Sequence, residues 1–69
     1  MYVLSFMILA ESDFEAVEIQ TEVEEALGRG VDRGVKTNVG WAIEFWYDTY
    51  EAARNAAAYS ALPARIIKE

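Results

Sequence analysis

The chain has 69 residues, of which 54% are hydrophobic and 13% aromatic, and its formal net charge is −6 at pH 7. A chain of this length forms one small core and buries only about 60% of the surface that its unfolded form exposes, so we expect a single domain over residues 1–69. The high hydrophobic content excludes disorder. Histidine and cysteine are both absent, which removes the usual general base, the commonest metal ligand and any disulfide. We therefore expect no enzymatic activity and no cofactor.

The first half of the chain reads as a strand followed by a helix. Residues 1–9 are rich in β-branched and aromatic side chains and end at a polar cluster, which predicts a buried strand. This run is too short to cross a bilayer and has no basic leader, so we expect a soluble, cytoplasmic protein with no membrane segment. Ser12 and Glu15 form a capping box that starts a helix near Asp13, and Gly28 ends it. The core-facing positions of this helix are Ala16, Ile19, Val23, Ala26 and Leu27.

A glycine-rich stretch, residues 28–34, follows this helix. Its glycines and basic residues do not match a known phosphate-binding pattern, so we interpret it as a flexible connector with solvated bases. It leads into a weakly apolar strand at residues 35–37, which we expect at the edge of the sheet. Residues 38–40 then form a tight turn.

The second half repeats the strand-then-helix pattern. Residues 41–47 are the most aromatic segment and predict an inner strand. Asp48 or Thr49 is predicted to cap a second helix, and Pro63 is predicted to end it. Residues 64–68 then form the last strand.

The element order βαββαβ with right-handed crossovers predicts a ferredoxin-like plait of the α+β class, with a four-stranded antiparallel sheet and both helices on one face. The second helix is alanine-rich and should lie close to the sheet, with Tyr50 and Tyr59 as its larger contacts. The other face of the sheet is left open. Many unrelated functions use this plait, so the fold does not identify an activity.

The open sheet face is the first candidate binding surface. Period-two alternation places Met7, Glu44 and Trp46 on it, and we expect Met7 and Trp46 near its centre. Large apolar groups on an open face are typical of an interface. We predict a protein-binding or regulatory module, most simply a face-to-face homodimer, because a small domain gains stability by pairing. The alternative is that neighbouring side chains or the chain termini half-cover Met7 and Trp46.

The first helix is the second candidate surface, because seven of the twelve acidic residues lie between Glu11 and Glu25. Such a charged face is often only a solvated surface. It is also suited to docking a basic partner protein, or to imitating the phosphates of DNA and blocking a nucleic-acid-binding host protein, as small phage inhibitors do. The acidic residues that share one face of this helix are Glu15, Glu18, Glu22 and Glu25.

Residues 39–46 are similar in outline to the octapeptide of the RNA-recognition motif, and residues 1–3 resemble the start of its partner hexapeptide. That family has the same element order, and the resemblance implies that aromatic side chains on the two inner strands read RNA bases. Here Val39 replaces the leading basic residue, Glu44 replaces an apolar one, and we expect no basic rim on the sheet. With a net charge of −6, direct binding of nucleic acid is the least favoured hypothesis.

Overall fold

A computed structural model describes all residues, 1–69, as one antiparallel sheet of four strands with two helices. The strands lie in the order β2-β3-β1-β4, so β1 and β3 are central and β2 and β4 form the edges. The predicted ferredoxin-like βαββαβ plait is therefore confirmed, as is the edge position of β2. The elements are β1 (Tyr2–Ile8), α1 (Asp13–Leu27), β2 (Arg33–Lys36), β3 (Trp41–Tyr47), α2 (Tyr50–Ala57) and β4 (Ala64–Lys68).

Helix α1 begins and ends where its capping residues predict. The Ser12 hydroxyl accepts a hydrogen bond from the Glu15 N–H at 3.2 Å, and Gly28 ends the helix in the left-handed conformation at φ 72°. Ala16 and Val23 are buried against the sheet as expected. Ala26 is exposed, contrary to prediction, because it lies at the margin of the apolar stripe.

Helix α2 is capped by Thr49 and not by Asp48, since the Thr49 hydroxyl accepts the Ala52 N–H at 3.1 Å. The prediction that Pro63 ends this helix is wrong, because α2 already ends at Ala57. Its last turn closes through tighter backbone bonds from residues 58 and 59 to carbonyls three positions earlier. The backbone at Pro63 instead accepts a bond from β1.

The early end of α2 changes the role of one of its two predicted aromatic contacts. Tyr59 lies beyond the helix and is 68% exposed, so it does not pack on the sheet. Tyr50 is also exposed, but its ring meets the Tyr2 ring edge-on at 5.8 Å between centroids. The alanines of α2 allow its backbone to lie close to β1, β3 and β4, as predicted.

The core lies between the helices and one face of the sheet. Phe6 and Phe45 are fully buried at its centre and meet edge-on with centroids 5.9 Å apart. Such aromatic pairs contribute about 0.5–1.5 kcal/mol beyond the burial of their apolar area. The predicted division of β1 and β3 into a helix-facing side and an open side is confirmed. The other buried members of the core are Leu4, Ile8, Ala16, Val23, Ile43, Ala53 and Ala56.

Candidate functional site

The open face of the sheet consists of three rows of side chains that run across the strands. The register of the three strand pairs determines which residues share each row, since side chains of paired residues lie on the same face. The outer row at the start of β1 is apolar, the middle row is charged and polar, and the other outer row is apolar. In this order the rows are Trp46–Val3–Ile67, Arg33–Glu44–Ser5–Arg65 and Val35–Ala42–Met7.

The first row, Trp46–Val3–Ile67, is here called the apolar ridge. Val3 is 1% exposed although it does not belong to the core under the helices. Its two cross-strand neighbours, Trp46 and Ile67, therefore cover it from both sides and remain 39% and 37% exposed themselves. The ridge is a continuous apolar strip across three strands with its two ends open to solvent.

The three predicted open-face residues lie on one face but in three different rows. The Trp46 indole N–H donates to the Glu44 carboxylate at 3.4 Å, so these two side chains meet. Met7 lies opposite Ala42 in the far row and is half-buried. The expectation that Trp46 and Met7 lie near the centre of the face is wrong, because the β1–β3 register places Glu44 in the middle row.

The middle row contains basic residues that the sequence interpretation did not place there. Arg33 lies directly across from Glu44, and Arg65 lies beyond Ser5 on the other edge strand. The expectation that the sheet has no basic rim is therefore wrong. It failed because β2 begins at Arg33, earlier than predicted, and because the register of β4 directs Arg65 to the open side. Neither arginine forms an ion pair within 4.0 Å, since the chain's one ion pair joins Arg29 and Asp32.

The glycine-rich loop holds the backbone of Trp46, which sequence reasoning missed. β2 pairs with β3 only as far as Glu44, so no strand lies beside Trp46 on that edge. The Trp46 N–H donates to the Asp32 carboxylate at 2.8 Å, and its carbonyl accepts from the Arg29 guanidinium at 3.0 Å. Arg29 and Asp32 are themselves paired at 2.5 Å. These two side chains replace the missing strand, and we call them the Arg29–Asp32 clamp.

The same contacts correct the interpretation of this loop as a flexible connector with solvated bases. The Arg29 guanidinium lies over the Tyr47 ring, 4.9 Å from its centroid, in addition to its bond to the Trp46 carbonyl. The loop is also tied to α1, since the Glu24 carboxylate accepts the Val31 N–H at 2.8 Å. The spacing of Arg29 and Asp32 suits a local ion pair, but their contact with Trp46 depends on strands far away in sequence.

The acidic face of α1 lies on the opposite side of the molecule from the open sheet face, because α1 covers the other side of the sheet. Its carboxylates are all exposed, and none has a cation within 4.0 Å. Phe14 and Val17 lie beside them, 76% and 60% exposed, and were not predicted as surface residues. The two candidate surfaces therefore cannot form one site. The acidic residues concerned are Glu15, Glu18, Glu22 and Glu25.

The aromatic residues of the segment that resembles the RNA-recognition octapeptide are divided between the two faces. Trp41 and Phe45 face the helices, and the Trp41 ring lies under the Lys36 ammonium at 5.4 Å. Of that segment's aromatic side chains, Trp46 alone lies on the open face. Base stacking on this face would thus have one aromatic platform.

No group of three or more acidic side chains is arranged to hold a metal ion. Neither helix combines the length and the apolar character that crossing a membrane requires. No protein-family model matches the chain, and neither a curated protein nor a solved structure matches it significantly.

Proposed function

We propose that this protein is a small, non-catalytic protein-binding or regulatory module of the cytoplasm that binds a second copy of itself through its open sheet face. The observation that supports this proposal is the apolar ridge, whose ends Trp46 and Ile67 are exposed, beside a row with charges of both signs. Burying apolar surface contributes about 25 cal/mol per Å² to an interface, against which the entropy cost of association is set. Apolar contact does not by itself fix how the two copies are oriented. The charged and polar row beside the ridge can fix that orientation.

The charges of the middle row favour a second copy as the partner. In a twofold face-to-face pair the same surface meets itself, so Glu44 of one copy can lie against Arg33 or Arg65 of the other. The middle row of each copy holds two arginines and one glutamate, so two Glu44–arginine pairs can form across the twofold axis. The acidic α1 helices lie on the far side of each copy from such an interface. At physiological ionic strength, salt largely screens the repulsion between exposed charges that are more than about 8 Å apart.

The native mass in solution tests this proposal. Light scattering over a dilution series is expected to give the mass of two chains of 7.8 kDa at high concentration and of one chain at low concentration. A single-chain mass at every concentration would contradict self-association. The open face would then remain as a surface for a different protein.

The acidic face of α1 supports a second candidate function, that of an inhibitor which blocks a basic, nucleic-acid-binding protein. The favouring observation is that all four carboxylates are exposed and unpaired within the chain. They extend over about 15 Å of helix, a length comparable to several phosphates of a DNA strand. The exposed Phe14 beside them adds an apolar contact for the same partner. The four residues are Glu15, Glu18, Glu22 and Glu25.

Charge reversal tests this second function. The wild type is expected to retain a nucleic-acid-binding protein from a lysate and to displace DNA from it in a gel-shift assay. The variant Glu18→Lys with Glu22→Lys should lose both effects, because it reverses the centre of the acidic face. The control, Glu51→Lys with Glu69→Lys, changes the net charge equally outside that face and should retain both. If both variants lose partner binding and DNA displacement equally, net charge alone explains the effect. That result would contradict a specific acidic surface.

A further inference from the structure

The outer edge of β4 is a third surface, and no strand of the chain pairs with it. β4 is the last strand of the sheet, five residues long, and contains neither glycine nor proline. Its side chains are exposed except for Ile66, which is half-buried. The other edge strand, β2, has four residues and is interrupted by Gly34. Unprotected strand edges are the usual templates for pairing with another chain.

The hydrogen bonds at the two ends of the β1–β4 ladder show which residues of β4 bond to β1 and which have backbone groups that point outward. Met1 and Glu69 exchange two backbone bonds, at 2.9 and 3.2 Å, so these residues form a hydrogen-bonded pair. At the other end, the Met7 N–H donates to the Pro63 carbonyl at 3.1 Å. Hydrogen-bonded pairs occur at every second residue of an antiparallel ladder. Odd-numbered residues of β4 therefore bond to β1.

It follows that the even-numbered residues of β4 have backbone groups that point away from the sheet. Arg65 and Ile67 bond to β1, whereas the N–H and C=O groups of Ala64, Ile66 and Lys68 point outward. Three residues in register thus offer free donors and acceptors to one added antiparallel strand. The side chains of the same three residues lie on the helix side, and those of Arg65 and Ile67 lie on the open side.

The charges of β4 select the kind of strand that it can accept. Arg65 and Lys68 are exposed and have no ion-pair partner within 4.0 Å. A second copy of β4, centred on Ile66 so that all outward groups are used, would place the two Arg65 side chains diagonally across from each other on one face. Two long side chains of like charge reach each other across this diagonal, which disfavours this register. A strand with carboxylates at these positions would instead form two attractive cross-strand pairs.

We propose that the outer edge of β4 binds an extended acidic and apolar segment of a partner protein as a fifth, antiparallel strand. The segment has carboxylates opposite Arg65 and Lys68 and apolar side chains opposite Ile66 and Ile67, so it reads acid, apolar, apolar, acid. Main-chain bonds to the outward groups provide affinity, and the alternate side chains provide specificity. The residue opposite Ile67 also extends the apolar ridge by one strand. This site does not depend on the proposed self-association of the open face.

Fluorescence anisotropy with two labelled peptides, TEVVEVT and TKVVKVT, tests the charge pattern. The first is expected to bind about tenfold tighter, since two cross-strand charge pairs change from attractive to repulsive. The protein variant Arg65→Glu with Lys68→Glu should reverse this preference. The control variant Arg33→Glu with Lys36→Glu has the same net charge as the first variant, but its changes lie on the other edge strand. It should keep the wild-type preference for TEVVEVT. Equal binding of both peptides, or reversal by the control variant as well, would overturn the proposal.

A backbone-modified peptide tests whether the segment is added as a strand. Methylation of the TEVVEVT amide nitrogen that faces Ile66 removes one main-chain donor and is expected to weaken binding at least tenfold. Unchanged binding of the methylated peptide would overturn the proposal, because a charge contact alone would then explain the affinity. A dimer that persists in the Trp46→Ala variant and dissociates when TEVVEVT is added would assign the edge to a second copy and would also overturn the proposal. Trp46→Ala should leave peptide binding unchanged, which separates this test from that of the open face.

Discussion

Replacing Gly40 with alanine is expected to lower the free energy of unfolding by about 3 kcal/mol, the upper part of the range for forcing one extra group into a packed site. Gly40 is buried in the turn between β2 and β3, where its carbonyl accepts the Thr37 N–H at 2.7 Å. A Cβ at this position would collide with the carbonyl oxygen of Ile8 and lie 3.2 Å from the Leu9 Cα. These are backbone atoms, so no side chain can rotate away to relieve the collision.

The loss would be a large part of the total stability, because a domain of this size is stable by roughly 3–10 kcal/mol. Urea denaturation followed by circular dichroism measures this loss of stability. We expect a lower urea concentration at the unfolding midpoint and an unchanged dependence of the free energy of unfolding on urea. Gly34→Ala is the matched control, since a Cβ there has no atom within 4 Å and Gly34 does not have a positive φ. We expect the free energy of unfolding of that variant to stay within about 1 kcal/mol of the wild-type value. Equal midpoints for the two variants would contradict the close approach of this turn to β1.

Replacing Trp46 with alanine is expected to weaken self-association about 30-fold or more. Truncating a large aromatic residue that anchors an interface typically costs at least about 2 kcal/mol, which corresponds to that factor. The indole is the largest side chain of the apolar ridge and is 39% exposed. Its backbone is held by the Arg29–Asp32 clamp, so the side chain is already positioned before a partner arrives. Such preorganisation lowers the entropy cost of binding.

Sedimentation or light scattering over the same dilution range measures the effect as a shift of the dimer–monomer midpoint. Tyr59→Ala is the matched control, because Tyr59 is a 68% exposed aromatic residue that does not lie on the sheet. It should leave the midpoint unchanged. Circular dichroism should show native folding in both variants. A midpoint that moves equally in both variants, or in neither, would contradict a self-association surface that includes the apolar ridge.

The sequence predicted the bounds of those helices and strands whose ends depend on residues next to them in the chain. Helix α1 starts and stops at Ser12 and Gly28 because a side-chain cap and a left-handed glycine satisfy its terminal backbone groups. Strand β3 has the predicted bounds because its aromatic run stops at a polar pair. The end of α2 was not predictable in this way. Its final turn tightens without a glycine or proline, and Pro63 lies in the segment that already pairs with β1.

Sequence patterns were sufficient to predict the fold class, the two faces of the central strands and the acidic outer face of α1. Each of these follows from periodicity, and periodicity is a property of neighbouring residues. Only the folded structure shows that Arg33 and Arg65 share a row with Glu44, that the Arg29–Asp32 clamp holds Trp46, and which backbone groups of β4 point outward. All three depend on strand register. Register is set by contacts between residues far apart in the chain, and a shift of one residue would move every side chain to the other face.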